Sequence, residues 1–319
     1  MHKKRKPIKI GISACLLGQK VRYDGSHQHD RYITETLGNF FEFVPVCPEV
    51  ECGLPVPRET MRLMGESKSP RLVTTKTNID HTEKMQRWAE VRVKELETEN
   101  LHGFIFKRKS PSSGMERVKV YGENKIPQNT GVGIFARAFM EHFPLLPVEE
   151  DGRLHDIHLR ENFIERIFIY KRWRDLVEQN KTRGGLVDFH TAHKLLIMAH
   201  SIEHYRALGR LVAHPREMDT EDLYTEYLQI LTEALKRKCT INKHVNVLQH
   251  MMGYFKKNIS AVEKQEMLAL FDQYKNELIP LIVPVTLINH YVRKYNQEYL
   301  ADQLYLRPHP IELKLRNHA

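Results

Sequence analysis

Short apolar runs alternate with helical patterns through the first half of the chain. Lys9-Ile10-Gly11-Ile12-Ser13 and Phe41 to Val46 read as strands. Leu101 to Lys107 reads as a third, Arg117 to Tyr121 as a short fourth, and Leu145 to Val148 as a last return. Between them, Met85, Trp88, Ala89, Arg92, Leu96 and Leu101 recur at spacings near three and four, the period of a helix face over residues 79–101. Gly131 to Phe143 carries a second helical pattern. This alternation predicts an α/β layer with a mostly parallel sheet, Rossmann-like and three layers deep.

The texture changes after Pro147. Glu149-Glu150-Asp151-Gly152 predicts a polar turn, and from Leu159 onward the pattern is helical almost throughout. It predicts helices over 162–180, 185–213, 221–235, 242–258, 260–276 and 284–305. Thr220 ahead of Glu221 and Asp222 reads as a cap followed by acidic groups at a helix start, where the helix dipole favours them. Gly184-Gly185 and His214-Pro215 read as breaks. The expected organisation is an α/β domain over 1–148, a linker over 149–158, and an all-α helical-bundle domain over 159–319.

Composition agrees with two domains. The chain has 319 residues, 41% of them hydrophobic and 28% charged, enough for a core and against wholesale disorder. No run approaches the roughly 20 apolar residues that span a bilayer. Met1-His2-Lys3-Lys4-Arg5-Lys6 is basic, but no apolar signal core follows it, so secretion is not expected. Four cysteines do not make a disulfide scaffold and point to a reducing, cytoplasmic setting. The net charge of +9 first suggests a polyanion partner. Residues 1–150 carry 24 Lys and Arg against 19 Asp and Glu, and residues 151–319 carry 25 against 21. The excess is thus evenly split, and four of its charges are Lys3 to Lys6. That falls short of the clustered basic face of a nucleic-acid-binding domain.

The cysteines change the picture more. Cys15 lies just past the first expected strand, Cys47 just past the second, and Cys52 five residues on. Ligands of open parallel sheets gather at the carboxyl ends of the strands, so these thiols could converge. Soft sulfur ligands suit zinc or an iron–sulfur cluster. No CxxC pair or HxxxH partner lies near them to close a structural zinc site, whereas three ligands on a 4Fe–4S cluster leave one iron open. The plain alternative is that they are ordinary buried cysteines acting as small apolar residues. Cys239, between Lys238 and Thr240, reads as an incidental thiol.

Three separated blocks then resemble the thiouracil desulfidase family. They are Ser13-Ala14-Cys15-Leu16-Leu17-Gly18 with Val21-Arg22-Tyr23-Asp24-Gly25, then Cys47-Pro48-Glu49, then Ser110-Pro111-Ser112-Ser113-Gly114. The remainder resembles the YbgA-like helical family through Phe189-His190, His193-Lys194, Ala199-His200, Tyr205-Arg206, Leu208-Gly209-Arg210 and Pro280 to Pro284. The first resemblance implies a 4Fe–4S cluster held by three cysteines, with its fourth iron free to take sulfur from a thiocarbonyl. It places Cys15 and Cys47 at two ligand positions and Ser113 where the family has its third cysteine. A serine hydroxyl is a hard ligand and a poor substitute for a thiolate, so Cys52 is the expected replacement. It also places Glu49 and Ser110 at the family's proton-moving positions, although Glu49 after Pro48 could equally cap a helix and Ser110-Pro111 is ordinary turn chemistry. The substrate implied is a small thiolated base, nucleotide or related thioamide.

Around these blocks, Arg22 could bind an anion and Asp24 could accept from ring N–H groups, or Asp24-Gly25 could simply be a tight turn. Lys109, with Lys107 and Arg108, would set positive charge beside the site and suit a phosphate-bearing substrate, a thionucleotide or a transfer RNA. In the second half, His190, His193, His200 and His204 fall within an arc of about 80° on one expected helix. That stripe could bind a metal or substrate, yet it shares its face with Ile197, Leu208 and Leu211 and reads best as a packing seam. The helical half could recruit substrate or mediate oligomerisation. The competing class is a non-catalytic accessory protein, associated with nucleic acid, that lost its cluster along with the cysteine at 113.

Overall fold

The computed structural model describes residues 7–318 except 123, 125 and 215–217. The basic tail Met1 to Lys6 and Pro215 of the expected break lie outside the described residues. The chain divides into two compact units, Met1–Asp156 and Ile157–Ala319.

The first unit contains strands β1 (Ile8–Ser13), β2 (Phe41–Val46), β3 (Met61–Met64), β4 (Arg71–Thr74), β5 (Gly103–Phe106), β6 (Val118–Tyr121), β7 (Pro127–Gly131) and β8 (Val148–Glu150). Its helices are α1 (Pro48–Glu51), α2 (Thr82–Thr98) and α3 (Ile134–His142). One sheet is wholly parallel, in the order β2-β1-β5-β8, with Ser13 paired to Val46 and Phe106 to Glu150. Such strands are covered on both faces and read as continuous apolar runs, and Phe104, Ile105 and Phe106 of β5 are indeed fully buried. Phe104 meets Phe139 of α3 at 4.5 Å between ring centres, which fixes α3 on the sheet. Met85, Ala89, Val93 and Leu96 form the buried stripe of α2.

A second sheet, β4-β3-β6-β7, is mixed and was not legible in the sequence apart from β6. Its strands are four or five residues long, too short for a periodicity signal. The edge strand β7, Pro-Gln-Asn-Thr-Gly, is almost wholly exposed, and Pro127 stands at its first residue, where a missing donor costs least. The expected polar turn at Glu149-Glu150 is instead the end of β8. Both carboxylates are buried there because each has donors: Met115 N–H at 2.9 Å from Glu150 Oε1, and Arg153 Nε at 2.5 Å from Glu149 Oε1.

The second unit is helical: α4 (Ile157–Gln179), α5 (Arg183–His200), α6 (Ile202–Ala213), α7 (Thr220–Lys236), α8 (Ile241–Met252), α9 (Ala261–Lys275), α10 (Ile282–Lys294) and α11 (Glu298–Ala301). Its core gathers Trp173, Leu196, Tyr227, Leu248, Phe255, Phe271 and Ile288, among others. The single helix expected over 185–213 is two. Ser201 is extended (φ −158°, ψ 115°), and its hydroxyl accepts from His204 N–H to start α6. The break expected at Gly184-Gly185 falls at residues 180–182, between α4 and α5; both glycines lie in the first turn of α5, where Thr182 accepts from Gly185 N–H. Asp219, not Thr220, caps α7, accepting from Asp222 N–H. Among the described residues no helix is long and apolar enough to cross a membrane.

Candidate functional site

The carboxyl ends of β1, β2 and β5 open onto a cleft of about 400 Å³, bordered across from them by Arg58 to Met61. Three of the side chains singled out from the sequence arrive there by the same route, each in the first residues past a parallel strand. Cys15 follows β1 on a tight turn closed by Gly18 N–H on the Cys15 carbonyl. Cys47 follows β2 and precedes α1, whose Pro48 sits at a first helical position that needs no donor. Ser110 follows β5. Arg22, Glu49, Lys109 and Ser113 also line the cleft.

The 110–114 loop is held by the start of α3. Ile134 N–H donates to the Pro111 carbonyl at 3.2 Å and Ala136 N–H to the Ser112 carbonyl at 3.1 Å, so the helix's free donors are satisfied by the loop itself. Gly133 allows this contact, because a Cβ there would lie 2.5 Å from the Ser112 carbonyl. Within the loop, the Ser110 hydroxyl accepts from Ser113 N–H at 3.1 Å and meets the Ser112 hydroxyl at 2.9 Å. Ser112 in turn donates to Glu49 Oε1 at 2.5 Å. The other carboxylate oxygen of Glu49 lies 3.7 Å from Cys47 Sγ and 3.6 Å from Arg58 Nη2. A continuous chain of polar groups therefore runs from Ser110 through Ser112 and Glu49 to Cys47.

Burial pushes the Cys15 thiol up to about 11, with Lys107 pulling it back. Burial, then the Glu49 charge, pushes the Cys47 thiol up to about 12. Both are thus protonated near neutral pH unless a metal takes the place of the proton.

Cys52 goes elsewhere. It is buried in an apolar cluster with Leu54, Leu63, Leu72, Met85 and Ile134, and its Sγ meets the Glu49 carbonyl at 3.3 Å. One turn of α1 separates it from Cys47, and that turn carries its side chain to the far side, onto α2 and β3. The cleft thus receives Ser113 and not Cys52. Asp24 is also outside: it accepts from Ser26 N–H and hydroxyl, and Gly25 takes a positive φ of 74°, so this segment is a tight turn. Lys107 is paired with Asp151 at 2.6 Å and Arg58 with Glu49 at 3.6 Å, and Arg22, Arg108 and Lys109 also line the cleft.

Ser112 and Arg58 are the residues that sequence reasoning missed. Ser112 stood inside a recognised block, between Ser110 and Ser113, and only the fold shows it reaching Glu49. Arg58 follows a proline-rich stretch with no signal of its own, yet it is buried and also donates to the Val21 carbonyl at 3.0 Å.

In the helical unit the histidine stripe does not survive the break at Ser201. His190 meets the Tyr227 hydroxyl at 3.0 Å, and His193 stacks on Phe189 and meets its carbonyl at 2.7 Å. His204 turns to Ser201 on the next helix. His200 joins a different group, Glu165 and Cys239.

Residues 10–151 match the 2-thiouracil desulfurase family, and residues 194–310 match a family described as protein of unknown function, DUF1722. The uncharacterized protein YbgA of Escherichia coli (strain K12) is 36% identical over 153 residues, 48% of this chain and 90% of that protein. A solved structure of the 4Fe–4S-dependent thiouracil desulfidase TudS aligns at 30% identity and a TM-score of 0.39, covering 47% of this chain and 94% of that one. The chain belongs to the YbgA family, and its residues 10–151 are similar to the 2-thiouracil desulfurase family.

Proposed function

We propose that the first unit removes sulfur from a thiolated nucleobase or related thioamide with the help of a 4Fe–4S cluster. The observation that carries the reading is the meeting of Cys15 and Cys47, on adjacent parallel strand ends, with Glu49 and Ser110 in one cleft. The donor set fits such a cluster at two positions, the buried free thiols of Cys15 and Cys47 in one cleft. At the third position the Ser113 oxygen would be the ligand, a weaker one than the thiolate it replaces. When bound, the cluster would supply an open iron, a thiophilic Lewis acid.

The chain's own groups do the rest. Glu49, held by Ser112 and Arg58, is placed to take a proton from the attacking water and to pass one to a ring nitrogen of the base. Ser110 and Ser112 connect it to the cleft wall as a short proton path. Arg22 and Lys109 give the mouth a positive charge that suits a thionucleotide's phosphate. The free thiols fit a reducing compartment such as the cytoplasm.

The hydroxyl at 113 also favours a second reading, a member that has lost the cluster and acts as an accessory protein. Ser113→Cys decides between them. On the desulfidase reading, anaerobically reconstituted Ser113→Cys holds its iron longer against a chelator than the wild-type chain does, and both release sulfide from 2-thiouracil. Iron binding and sulfide release that appear only in Ser113→Cys would support the accessory reading instead.

A further inference from the structure

Glu165 on α4, His200 at the end of α5 and Cys239 between α7 and α8 bring a carboxylate oxygen, an imidazole nitrogen and a sulfur within 4.8 Å of one another. Among the described residues this is the one group of three or more such side chains gathered so closely. We propose that it is a binding site for a zinc-class divalent ion in the helical unit, separate from the cleft of the first unit and independent of how that cleft is read.

Three features support it. The ring of His200 is already oriented as a metal ligand's is: Nδ1 lies 2.7 Å from the Arg237 carbonyl, which leaves Nε2 facing Glu165 Oε1 at 2.6 Å. A ligating histidine commonly gives its other ring N–H to such a carbonyl. Glu165 is fixed in the same way, its second oxygen 3.3 Å from Arg316 Nη2. The third feature is space. A cavity of about 30 Å³, enough for roughly one water, adjoins the three residues and is also lined by His158, Glu161 and Asn162. It would receive the fourth ligand, a water or a small anion.

The mixed oxygen, nitrogen and sulfur donor set selects zinc over calcium or magnesium, which prefer oxygen alone. The same three residue types also suggest a cysteine nucleophile with a histidine base. In that arrangement the nucleophile and the orienting carboxylate use opposite ring nitrogens, which sets sulfur and oxygen roughly 7 Å apart. Here they lie within 4.8 Å, side by side, as ligands of one ion do. Ligand bonds of about 2.0–2.3 Å set neighbouring donors roughly 3.3–3.8 Å apart, so the pair at His200 and Glu165 needs to open by about 1 Å. The charges balance as well: a divalent ion replaces the proton shared by His200 and Glu165 and the thiol proton of Cys239. Arg316 remains paired with Glu161 at 3.0 Å.

The test uses the full chain carrying Cys15→Ala and Cys47→Ala, so that no metal held at the first cleft contributes. Loaded with zinc and passed over a desalting column, it should retain one zinc per chain and unfold at a higher temperature than the metal-free form. With cobalt it should show a thiolate-to-metal charge-transfer band. Cys239→Ser in the same background should abolish that band and weaken zinc binding by at least about tenfold. Cys239 is only half-buried, so the serine variant should fold, with circular dichroism as the check. Substoichiometric zinc on the folded parent chain overturns the proposal without any further variant. A thiolate band that survives in Cys239→Ser overturns it equally, since the ion would then sit elsewhere.

Discussion

Glu49 joins three groups at the cleft: Ser112 on one oxygen, Cys47 and Arg58 on the other. Replacing it with glutamine keeps the shape and removes the proton acceptor. Glu49→Gln should lower sulfide release from 2-thiouracil about 10²–10⁴-fold while the iron content stays at the wild-type level. Equal loss of iron and activity would mean that Glu49 supports the cluster and not the proton transfer. Cys15, Cys47, Glu49 and Ser110 were legible because each sits in a short block just past an apolar strand, where a parallel sheet presents its ligands. Arg58 was not, because it depends on a contact between segments 37 residues apart in the chain. Cys52 was misjudged for a related reason: nearness in sequence to Cys47 says nothing about direction once a helical turn lies between them. The proximity of Cys239 to Glu165 and His200 has no signal in the sequence, because the three come from segments far apart in the chain.

The strand ends position the cysteines, but α3 positions the serines. Its first turn binds the carbonyls of Pro111 and Ser112, and Gly133 lets that turn approach the loop. A methyl group at 133 has no room 2.5 Å from the Ser112 backbone and must push the loop away. Gly133→Ala should cost about 1–3 kcal/mol in urea unfolding and reduce sulfide release more than Gly253→Ala, whose Cβ meets nothing within 4 Å and whose φ is negative. Similar activity in the two variants would argue that the exact placement of Ser110 and Ser112 does not matter. Long elements with a clear period were legible, as α2 and α7 were. The break between α5 and α6 was not, since the apolar period runs through Ser201 and only its extended backbone shows the cap. The short strands β3, β4 and β7 carry too few residues to show a period and exist by pairing, β3 with β4 and β6, and β7 with β6.

The helical unit meets acid through its buried histidines. In the helical unit, burial holds His190 down to about 4, His193 to about 3, His244 to about 3 and His309 to about 4. Unfolding frees each to bind a proton below its ordinary value of about 6.5. The unfolded state therefore takes up protons that the folded state refuses, and stability falls as pH drops from about 6.5 toward 4. Each such group contributes up to about 1.4 kcal/mol per pH unit in that window. Urea midpoints at pH 7 and pH 5 should differ clearly, and the difference should shrink in His193→Phe; a flat profile would contradict the buried, neutral histidines. The division into an α/β half and a helical half was plain from the change of texture after Pro147, because it depends on period alone and not on any single contact. The most direct check of the desulfidase account is iron and sulfide measured together after anaerobic reconstitution. The account predicts about four irons per chain and sulfide released from 2-thiouracil, both lost in Cys15→Ala and in Cys47→Ala and both kept in Cys52→Ala. A folded chain that stays colourless and iron-free, or one that loses its iron in Cys52→Ala, would contradict it.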